Sequence, residues 1–339
     1  MGRSAPERVD VSVLVPVRNE SPWIRETVAT MRAQRFDGQI ELLLIDGRSE
    51  DGTRAILDEL AAGDERIRVL DNPGRTTPSA LNVGLRNARG EFVARMDAHA
   101  YYPHHYVGAG VARLRRGDVE WVSGPAIPAG RGLWSRLVSL ALGTWLGAGG
   151  SRKWGGDRET QIDTGVFAGV WLRSTLERHG GWDEGWPANQ DSELAARVLA
   201  GGGTIIRLPQ LGARYMPRDS LGGLARQYLR YGFYRAKTSR RHPHSMRRSH
   251  LFPPALIAAA ALSLSSRRML SAPGRAALAT YALAVLGTSA RVAARERSPE
   301  PLALPPVFAT IHVFWGLGFL AGCARFGPPL RALAGLIRR

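Results

Sequence analysis

The sequence predicts an α/β fold, in which a mostly parallel sheet carries helices on both faces and a C-terminal region of apolar helices follows. Two observations predict it. Short apolar runs alternate with helical segments over the first hundred residues, and three hydrophobic segments follow residue 250. A chain of 339 residues is long enough for one large domain or two ordinary ones.

The first hundred residues supply four predicted strands and three predicted helices in alternation. The strands, at 11–15, 41–45, 67–70 and 91–96, are short apolar runs that stop at polar or turn residues. The helices are predicted at 22–35, 53–62 and 77–87, the first with Ser21 as its N-cap and Pro22 in its first turn. Alternation of this kind favours parallel strands joined by crossover helices.

Polar side chains follow three of these strands, at 17–20, 46–51 and 97–99. Ligands of parallel sheets bind beyond the carboxyl ends of the strands, so we expect the three segments to converge. No glycine-rich phosphate loop follows the first strand, which argues against a nicotinamide enzyme or an NTPase. Asp46 either accepts hydrogen bonds from a base or ribose, or caps the turn that follows it.

Asp97 and His99 are a candidate pair of metal ligands. Residues two apart on an extended strand point the same way, so both side chains reach one cation if the strand continues through them. A carboxylate oxygen and an imidazole nitrogen suit Mn²⁺, and a site that keeps waters and takes phosphate oxygens also accepts Mg²⁺. The alternative is that Asp97 caps a turn and His99 is an ordinary surface histidine.

Four ordered motifs, at 15–20, 45–53, 80–84 and 97–99, resemble those of the inverting family 2 glycosyltransferases. The resemblance covers about residues 9–235 and is closest to the succinoglycan-biosynthesis type, whose metal motif is Asp-Ala-His. It implies a GT-A (Rossmann-like) fold, a nucleotide-diphosphate-sugar donor and a divalent metal, Mn²⁺ or Mg²⁺, on the diphosphate. The metal falls to Asp97 and His99, where His99 either binds the metal or touches phosphate alone. The residues that would bind the nucleotide sugar are Pro16, Val17, Arg18, Asn19, Glu20, Asp46, Asn82 and Asp97.

The segment 189–197 resembles the family's Glu-Asp-x-Asp-Leu-x-x-Arg motif, with Gln190 where glutamate is common. Inversion requires one base that faces the acceptor hydroxyl, opposite the departing diphosphate, and we assign this role to Asp191. Glu193 and Arg197 are expected to orient the helix or to pair with each other at i,i+4 spacing. The alternative role for Asp191 is helix N-capping.

Two further segments resemble the family's acceptor side. Residues 180–184 resemble its Gly-Gly-Phe-Asp-Glu turn, and residues 227–232 resemble its Gln-Tyr-x-Arg-Tyr-Gly segment. The resemblance places Trp182, Glu193, Gln227 and Arg230 on the acceptor or diphosphate side. For Gln227 and Arg230 a solvated basic helix is the alternative.

The charge is concentrated in the C-terminal third. Residues 220–339 carry 18 basic and 2 acidic side chains, whereas residues 1–219 carry 28 and 27. Arginine clusters flank the apolar segments at 251–264, 276–290 and 305–324, which favours membrane helices over a soluble helical domain. We therefore predict a catalytic domain at 1–235, a basic juxtamembrane linker at 236–250 and about three membrane helices within 251–339. The apolar segment 132–149 is either a buried core helix or an interfacial helix.

These features together predict a membrane-associated, metal-dependent glycosyltransferase of polysaccharide biosynthesis. It would act on a lipid-linked or glycan acceptor and contact anionic membrane lipids. The polar N-terminus, Met1 to Asp10, predicts no signal peptide, hence a multi-pass protein of the plasma (inner) membrane with a cytoplasmic catalytic domain. The single cysteine, Cys323, excludes a disulfide framework and a cysteine-built zinc site.

Two alternatives belong to other functional classes. A sugar-nucleotide pyrophosphorylase-like nucleotidyltransferase would share the strand order and a metal-binding acid, but it would need a glycine-rich basic loop after the first strand. A non-catalytic basic protein of membranes or nucleic acid would explain the charge. A tail that binds nucleic acid would be polar with interleaved aromatic residues, and this tail is apolar, so we predict no nucleic-acid partner.

Overall fold

The computed structural model describes residues 8–151, 153, 156–163 and 165–337, so most of the segment on which the signal-peptide prediction rests lies outside the described residues. The chain forms two compact units. The sheet unit comprises Met1–Ile127 and Gly155–Tyr215, and the helical unit comprises Pro128–Trp154 and Met216–Arg339. The predicted division into a catalytic domain that ends at residue 235, a basic linker that ends at residue 250 and a membrane region after it stays a prediction.

The elements alternate as expected at the start of the chain and become helical at its end. The strands are β1 Val11–Val17, β2 Ile40–Asp46, β3 Ile67–Asp71, β4 Phe92–Arg95, β5 Ala100–Tyr101, β6 Trp121–Ser123, β7 Ala126–Pro128, β8 Thr160–Gln161, β9 Gly169–Leu172, β10 Ile205–Arg207 and β11 Ala213–Tyr215. The helices are α1 Ile24–Arg32, α2 Thr53–Ala62, α3 Thr77–Asn87, α4 Tyr106–Leu114, α5 Leu133–Leu142, α6 Trp145–Ala148, α7 Arg173–Arg178, α8 Gln190–Ala200, α9 Leu221–Arg241, α10 Phe252–Ser263, α11 Arg268–Glu296, α12 Pro305–Phe326 and α13 Leu330–Ile337.

The sheet unit contains an eight-stranded sheet in the order β3-β2-β1-β4-β9-β6-β10-β8 and a three-stranded sheet in the order β5-β11-β7. Strands β3, β2, β1 and β4 are parallel to one another, whereas β9 runs antiparallel to its neighbours β4 and β6. The predicted mostly parallel α/β sheet is confirmed. Gly84 lets α3 pack closely, because a Cβ at this position would lie 2.9 Å from a methyl carbon of Leu14.

One local prediction is wrong, and a condition attached to another is not met. The N-cap of α1 is Trp23 rather than Ser21, because the carbonyl of Glu20 accepts the amides of Trp23 and Ile24 in a turn before the helix. Strand β4 ends at Arg95, so it does not continue through Asp97 and His99 as a shared metal site on one strand would require.

The chain then turns at residues 98–99, and the amide of Ala100 donates to the carbonyl of Asp97 at 3.2 Å. Asp97 and His99 therefore do not lie on one extended strand. The turn forms because the Tyr102 hydroxyl accepts the Asp97 amide at 2.6 Å.

The helical unit buries α5 in its core. Leu137, Val138, Ala141 and Leu142 of α5 pack in one apolar cluster with residues of α9, α11 and α12. Of the two interpretations of segment 132–149, the structure therefore shows the core helix for α5. In the short helix α6, by contrast, the Trp145 side chain is 80% exposed.

Glycines bring α9 and α12 into backbone contact. A Cβ at Gly232 of α9 would lie 2.0 Å from the carbonyl oxygen of Trp315, and one at Gly318 of α12 would lie 2.0 Å from that of Leu229. Small residues at such crossings are typical of helix pairs in membranes, where close backbone approach supplies the packing energy.

Among the described residues of the helical unit, two segments are long and apolar enough to cross a membrane by length and composition. They are Arg268–Glu296 and Glu300–Phe326, with mean hydropathies of 1.3 and 1.7 in their most apolar windows. The first predicted segment forms α10, which has 12 residues. A helix of that length spans about 18 Å, well short of the ~30 Å hydrocarbon core.

Candidate active site

The ends of β1 and β2 lie side by side, and hydrogen bonds join the loops that follow them. Val17 pairs with Asp46 in the parallel ladder. Beyond the strands, the Asn19 amide donates to Ser49 Oγ at 2.9 Å, and the Glu50 amide donates to Asn19 Oδ1 at 2.9 Å. The predicted convergence of segments 17–20 and 46–51 is thus present.

Asp46 is buried at this edge, with 2% of its surface exposed. Its Oδ1 accepts the Ser49 hydroxyl at 2.6 Å and the Ser49 amide at 3.2 Å, so it caps the turn as one interpretation expected. In the same loop, burial would raise the pKa of Asp51, but hydrogen bonds from Thr53 and Ser21 outweigh burial and hold that pKa well below its usual value.

Three exposed arginines surround this pair of loops, and sequence analysis identified one of them, Arg18. Arg18 Nη1 donates to the carbonyl of Arg75 at 3.2 Å, and Arg48 lies 3.8 Å from the Asp71 carboxylate. Arg48 and Arg75 have positive φ values of 57° and 54°. The sequence alone does not show that these two arginines have positive φ values, so it gave no reason to single them out.

Asp97 and Asp191 are brought together by Arg95. Arg95 Nε donates to Asp97 Oδ1 at 2.8 Å, and its Nη1 donates to Asp191 Oδ1 at 2.6 Å. The arginine side chain is 5% exposed. Burial would lower the pKa of Arg95, but the carboxylates of Asp191 and Asp97 outweigh burial and raise it. One buried cation therefore links the residues assigned to the metal and to the base.

Sequence analysis missed Arg95, although a signal was present. Arginine at position 95 interrupts an apolar run that was predicted to be a buried strand. A charged side chain inside such a strand needs a buried partner of opposite charge. The sequence therefore signalled an ion pair without identifying its partners.

Two tyrosines that pack against each other support the same residues. Tyr102 accepts the Asp97 amide, and the Tyr106 hydroxyl donates to the carbonyl of Arg95 at 3.3 Å. Their rings pack edge to face with centroids 4.8 Å apart. Burial, and next the neighbouring Asp97 carboxylate, raise the pKa of both phenols, so both stay protonated at neutral pH.

His99 contacts the loop that follows β1. Its Nδ1 lies 3.0 Å from Glu20 Oε1, and its ring packs edge to face with Tyr215 at 5.8 Å. Within the described ranges no group of three or more His, Cys, Asp or Glu side chains is arranged to hold a metal ion. The protein groups fit a cation that takes most of its other ligands from a bound diphosphate and water, as Mg²⁺ does in sites built from one or two carboxylates.

Asp191 lies in the first turn of α8. The N-cap is Asn189, so the capping alternative for Asp191 is wrong, and its carboxylate instead binds Arg95. The expected i,i+4 pair is present, since Arg197 donates to Glu193 at 2.7–3.0 Å and the Glu193 side chain is fully buried. Arg197 also donates to the carbonyl of Gly181 at 2.8 Å, which fixes the preceding turn against α8.

Asn82 and Trp182 bind each other. Asn82 Nδ2 donates to the Trp182 carbonyl at 2.8 Å, and the Trp182 amide donates to Asn82 Oδ1 at 2.9 Å. The Trp182 ring lies in the core, edge-on to Trp171 at 5.7 Å. Neither residue contacts Asp97 or Asp191 through these bonds, and their predicted roles at the nucleotide sugar and acceptor stay predictions.

Gln227 and Arg230 belong to α9 in the helical unit. Gln227 Nε2 donates to the Tyr231 hydroxyl at 3.0 Å, one turn along the helix. Arg230 is exposed on the same helix. Their predicted roles beside diphosphate or acceptor likewise stay predictions.

Residues 12–170 match the family described as glycosyl transferase family 2. The chain is a glycosyltransferase with a family 2 domain. It is 29% identical over 312 residues to the succinoglycan biosynthesis protein ExoA of Rhizobium meliloti (strain 1021), covering 91% of this chain and 93% of that protein.

A second relative and a solved structure also match this chain over most of its length. A dolichyl N-acetyl-glucosaminyl phosphate diacetamido-dideoxy-glucuronosyltransferase of Methanococcus voltae is 23% identical over 92% of this glycosyltransferase and 96% of its own length. The mannosyltransferase PcManGT of Pyrobaculum calidifontis, solved with GDP-Man and Mn²⁺, superposes with a TM-score of 0.59 at 24% identity, covering 94% of this chain and 90% of its own. The expected GT-A fold and the resemblance to the succinoglycan-biosynthesis type are confirmed, and this glycosyltransferase acts in polysaccharide or glycan biosynthesis.

Proposed function

We propose that this glycosyltransferase moves a sugar, with inversion, from a nucleotide-diphosphate-sugar to a lipid-linked or glycan acceptor. The observation that carries the proposal is the Arg95 bridge, which joins Asp97 to Asp191 beyond the ends of the parallel strands. A donor-side acid and an acceptor-side base have to face one reacting carbon from opposite sides, so their proximity supports transfer.

The nucleoside would lie against the joined loops after β1 and β2. Segment 16–20 and Asp46 provide main-chain and carboxylate groups at this edge, and Arg18, Arg48 and Arg75 provide positive charge for phosphates. Support also comes from the neighbour PcManGT, which was solved with GDP-Man. Binding by side chains rather than by a glycine-rich loop agrees with the missing phosphate loop.

Asp97 would hold Mn²⁺ or Mg²⁺, with His99 as a second ligand or as a phosphate contact. When bound, the cation offsets the charge that grows on the departing diphosphate. Asp191 accepts the proton of the acceptor hydroxyl, while the hydroxyl oxygen bonds to the anomeric carbon and the bond to the diphosphate oxygen breaks. This single displacement inverts the anomeric centre and needs no covalent enzyme intermediate.

We further propose that the protein is attached to the plasma membrane through α11 and α12, with the sheet unit in the cytoplasm. The support is the length and composition of these helices together with the arginines at both ends of α11. The basic residues from 235 to 250 would attract anionic lipids. Resistance of the protein to alkaline extraction from membrane fractions tests the attachment, and complete release would contradict it.

A donor screen tests the proposed reaction. Membrane fractions are supplied with UDP-, GDP- and dTDP-sugars and either Mn²⁺ or Mg²⁺, and the released nucleotide is identified. We expect one nucleoside diphosphate to be released, and both EDTA and Asp97→Ala to abolish its release. Asp58→Ala is the matched control, because Asp58 forms an exposed i,i+4 pair with Arg54 on α2.

The products separate the alternatives. If added pyrophosphate converts a sugar nucleotide into a nucleoside triphosphate and a sugar 1-phosphate, the protein is a nucleotidyltransferase. Conversion of no sugar nucleotide under either condition would indicate a non-catalytic protein. Full activity of Asp97→Ala would remove this carboxylate from the reaction.

A further inference from the structure

Arg95 holds the two proposed reaction acids through a single planar group. Its Nε and Nη1 donate to carboxylates that lie 94 positions apart in the chain, one after β4 and one in α8. A guanidinium presents its N–H groups in a rigid fork, so two bonds from one guanidinium fix the relative positions of both acceptors. The distance between Asp97 and Asp191 is therefore set by Arg95.

The bridge is itself held from the main-chain side. Tyr106 donates to the carbonyl of Arg95, and Tyr102 accepts the amide of Asp97, so both ends of the Arg95–Asp97 segment are anchored in the core. Arg95 is almost inaccessible to solvent, with 4% of the residue exposed. Water is therefore not at hand to replace either carboxylate, so a displacement of one carboxylate is passed to the other through Arg95.

The charge balance gives the arrangement a second consequence. Two carboxylates this close would repel each other in a low-dielectric interior, and one guanidinium leaves the trio with a single net negative charge. The trio can then accept a cation at Asp97 while Asp191 stays positioned toward the acceptor.

We infer that Arg95 is a positioning residue that couples the donor-side acid Asp97 to the acceptor-side base Asp191. The inference rests on the proposed function, because it takes the two acids to have those roles. Arg95 does not touch the reacting atoms. It acts by keeping the base and the diphosphate side at the separation that in-line transfer requires.

The main test is Arg95→Lys. Lysine keeps the charge but offers one ammonium instead of a fork, so it can hold one carboxylate and not both in register. We expect kcat to fall about 100-fold, the effect typical of a displacement of about 1 Å, with KM for the sugar nucleotide changed less than about threefold. A loss confined to KM would overturn the inference.

Arg113→Lys is the matched control. Arg113 also bridges two carboxylates, Asp118 at 2.5 Å and Glu159 at 3.0 Å, and its side chain is 8% exposed. It lies in α4 and belongs to no part of the proposed site. Because the chemistry of the two substitutions is the same, equal losses of kcat in both variants would mean that Arg95 has a general structural role, and the inference would fail.

A double-mutant cycle tests the coupling directly. If Arg95 acts through Asp191, Arg95→Lys should cost little further activity once Asp191→Glu is present, which keeps a carboxylate and therefore residual turnover, because residues that act as a unit are not additive. Multiplicative losses would show that the two residues act independently.

A third measurement does not depend on any Arg95 variant and so covers the case in which Arg95→Lys fails to fold. Asp191→Glu keeps the charge but adds one methylene, which displaces the carboxylate and, through Arg95, also Asp97. We expect equilibrium binding of Mn²⁺ alone, followed by the loss of its free EPR signal, to weaken at least about threefold. Unchanged Mn²⁺ binding would show that Asp191 and Asp97 are not coupled.

The failure of this inference is distinguishable from the failure of the proposed function. If Asp97→Ala and Asp191→Asn abolish transfer while Arg95→Lys has wild-type kcat, the inference falls and the proposed function stands. If Asp97→Ala and Asp191→Asn leave transfer intact, the proposed function falls first.

Discussion

The sheet unit and the helical unit organise their interiors by different interactions. The sheet unit buries ion pairs, with Glu193 bonded to Arg197 and Arg95 bonded to two aspartates. The helical unit has three acidic residues in its whole sequence, and its helices α9 and α12 meet through glycines at backbone distance. Specific charges define the first interior, and close shape complementarity defines the second.

The difference agrees with the proposal that the helical unit is attached to a membrane. A reaction that moves a proton and a diphosphate needs charges fixed at defined positions. If the helical unit lies in lipid, as proposed above, its polar groups have to be satisfied internally, and His312 meets this condition. Its Nδ1 lies 3.0 Å from the Tyr281 hydroxyl and its Nε2 lies 3.2 Å from the carbonyl of Leu146.

The largest expected effect tests the sheet unit's dependence on buried charge. Arg197→Met leaves the fully buried Glu193 without its forked partner and removes bonds to two carbonyls. We expect the free energy of unfolding of the sheet unit to fall by about 3–5 kcal/mol. Chemical denaturation followed by tryptophan fluorescence measures the change.

Arg54→Met is the control for this prediction. Arg54 pairs with Asp58 at the same i,i+4 spacing, but both side chains are about half exposed. Removing an exposed pair should cost less than about 1 kcal/mol. Equal losses in the two variants would show that burial of the pair does not matter.

A second substitution tests the helical unit's dependence on close packing. Gly232→Ala places a methyl group 2.0 Å from the carbonyl oxygen of Trp315, so α9 and α12 have to separate. We expect a loss of about 3 kcal/mol, seen as a lower melting temperature in detergent.

Gly287→Ala is expected to change the stability of the helical unit in the opposite direction. Gly287 lies inside α11, and the position that a Cβ would take there has no other atom within 4 Å, so alanine should stabilise the helix by up to about 1 kcal/mol. If both alanine variants shift the melting temperature in the same direction, the account of glycine packing is wrong.

An effect smaller than those of Arg197→Met and Gly232→Ala separates the two units by pH. Hydrogen bonds from Arg66 hold the pKa of Asp64 at about 2, against the opposing effect of burial, and Arg32 adds a further bond. Because the folded pKa lies below the unfolded value, this carboxylate stabilises the folded state by about 2 kcal/mol above pH 4, and the contribution is lost as the pH falls from about 4 to 2. Asp64→Asn should remove that part of the acid sensitivity.

The helical unit provides the internal comparison, because its few acids give it little to lose on acidification. The unfolding transition of the sheet unit should therefore shift to lower stability as the pH falls from 4 to 2, while that of the helical unit changes less. A helical unit that loses stability over this pH range as steeply as the sheet unit would contradict the comparison.

The sequence predicted the parts of the fold that local pattern determines. Strands β1 and β2 and helices α2 and α3 lie close to their predicted positions, because apolar runs and turn residues define them locally. The strand pattern supplied Asp97 as a candidate, and the resemblance supplied Asp191. Neither supplied the turn at residues 98–99, because that turn depends on a hydroxyl five positions away.

Long-range contacts account for the remaining differences. Arg95 meets Asp191 across 96 positions, and Asn82 meets Trp182 across 100, so neither partner can be read from local spacing. The same limit applies to α5, whose apolar surface fits a core helix and an interfacial helix equally well until its neighbours in the cluster are known.

The central claim is that Asp97 serves the donor and Asp191 serves the acceptor within one reaction centre. Equilibrium binding of the sugar nucleotide found in the donor screen, measured with Mn²⁺ beside turnover, tests it most directly. We predict that Asp97→Ala loses both binding and turnover, whereas Asp191→Asn keeps binding and loses turnover. Normal turnover in either variant, or loss of donor binding in Asp191→Asn alone, would contradict the claim.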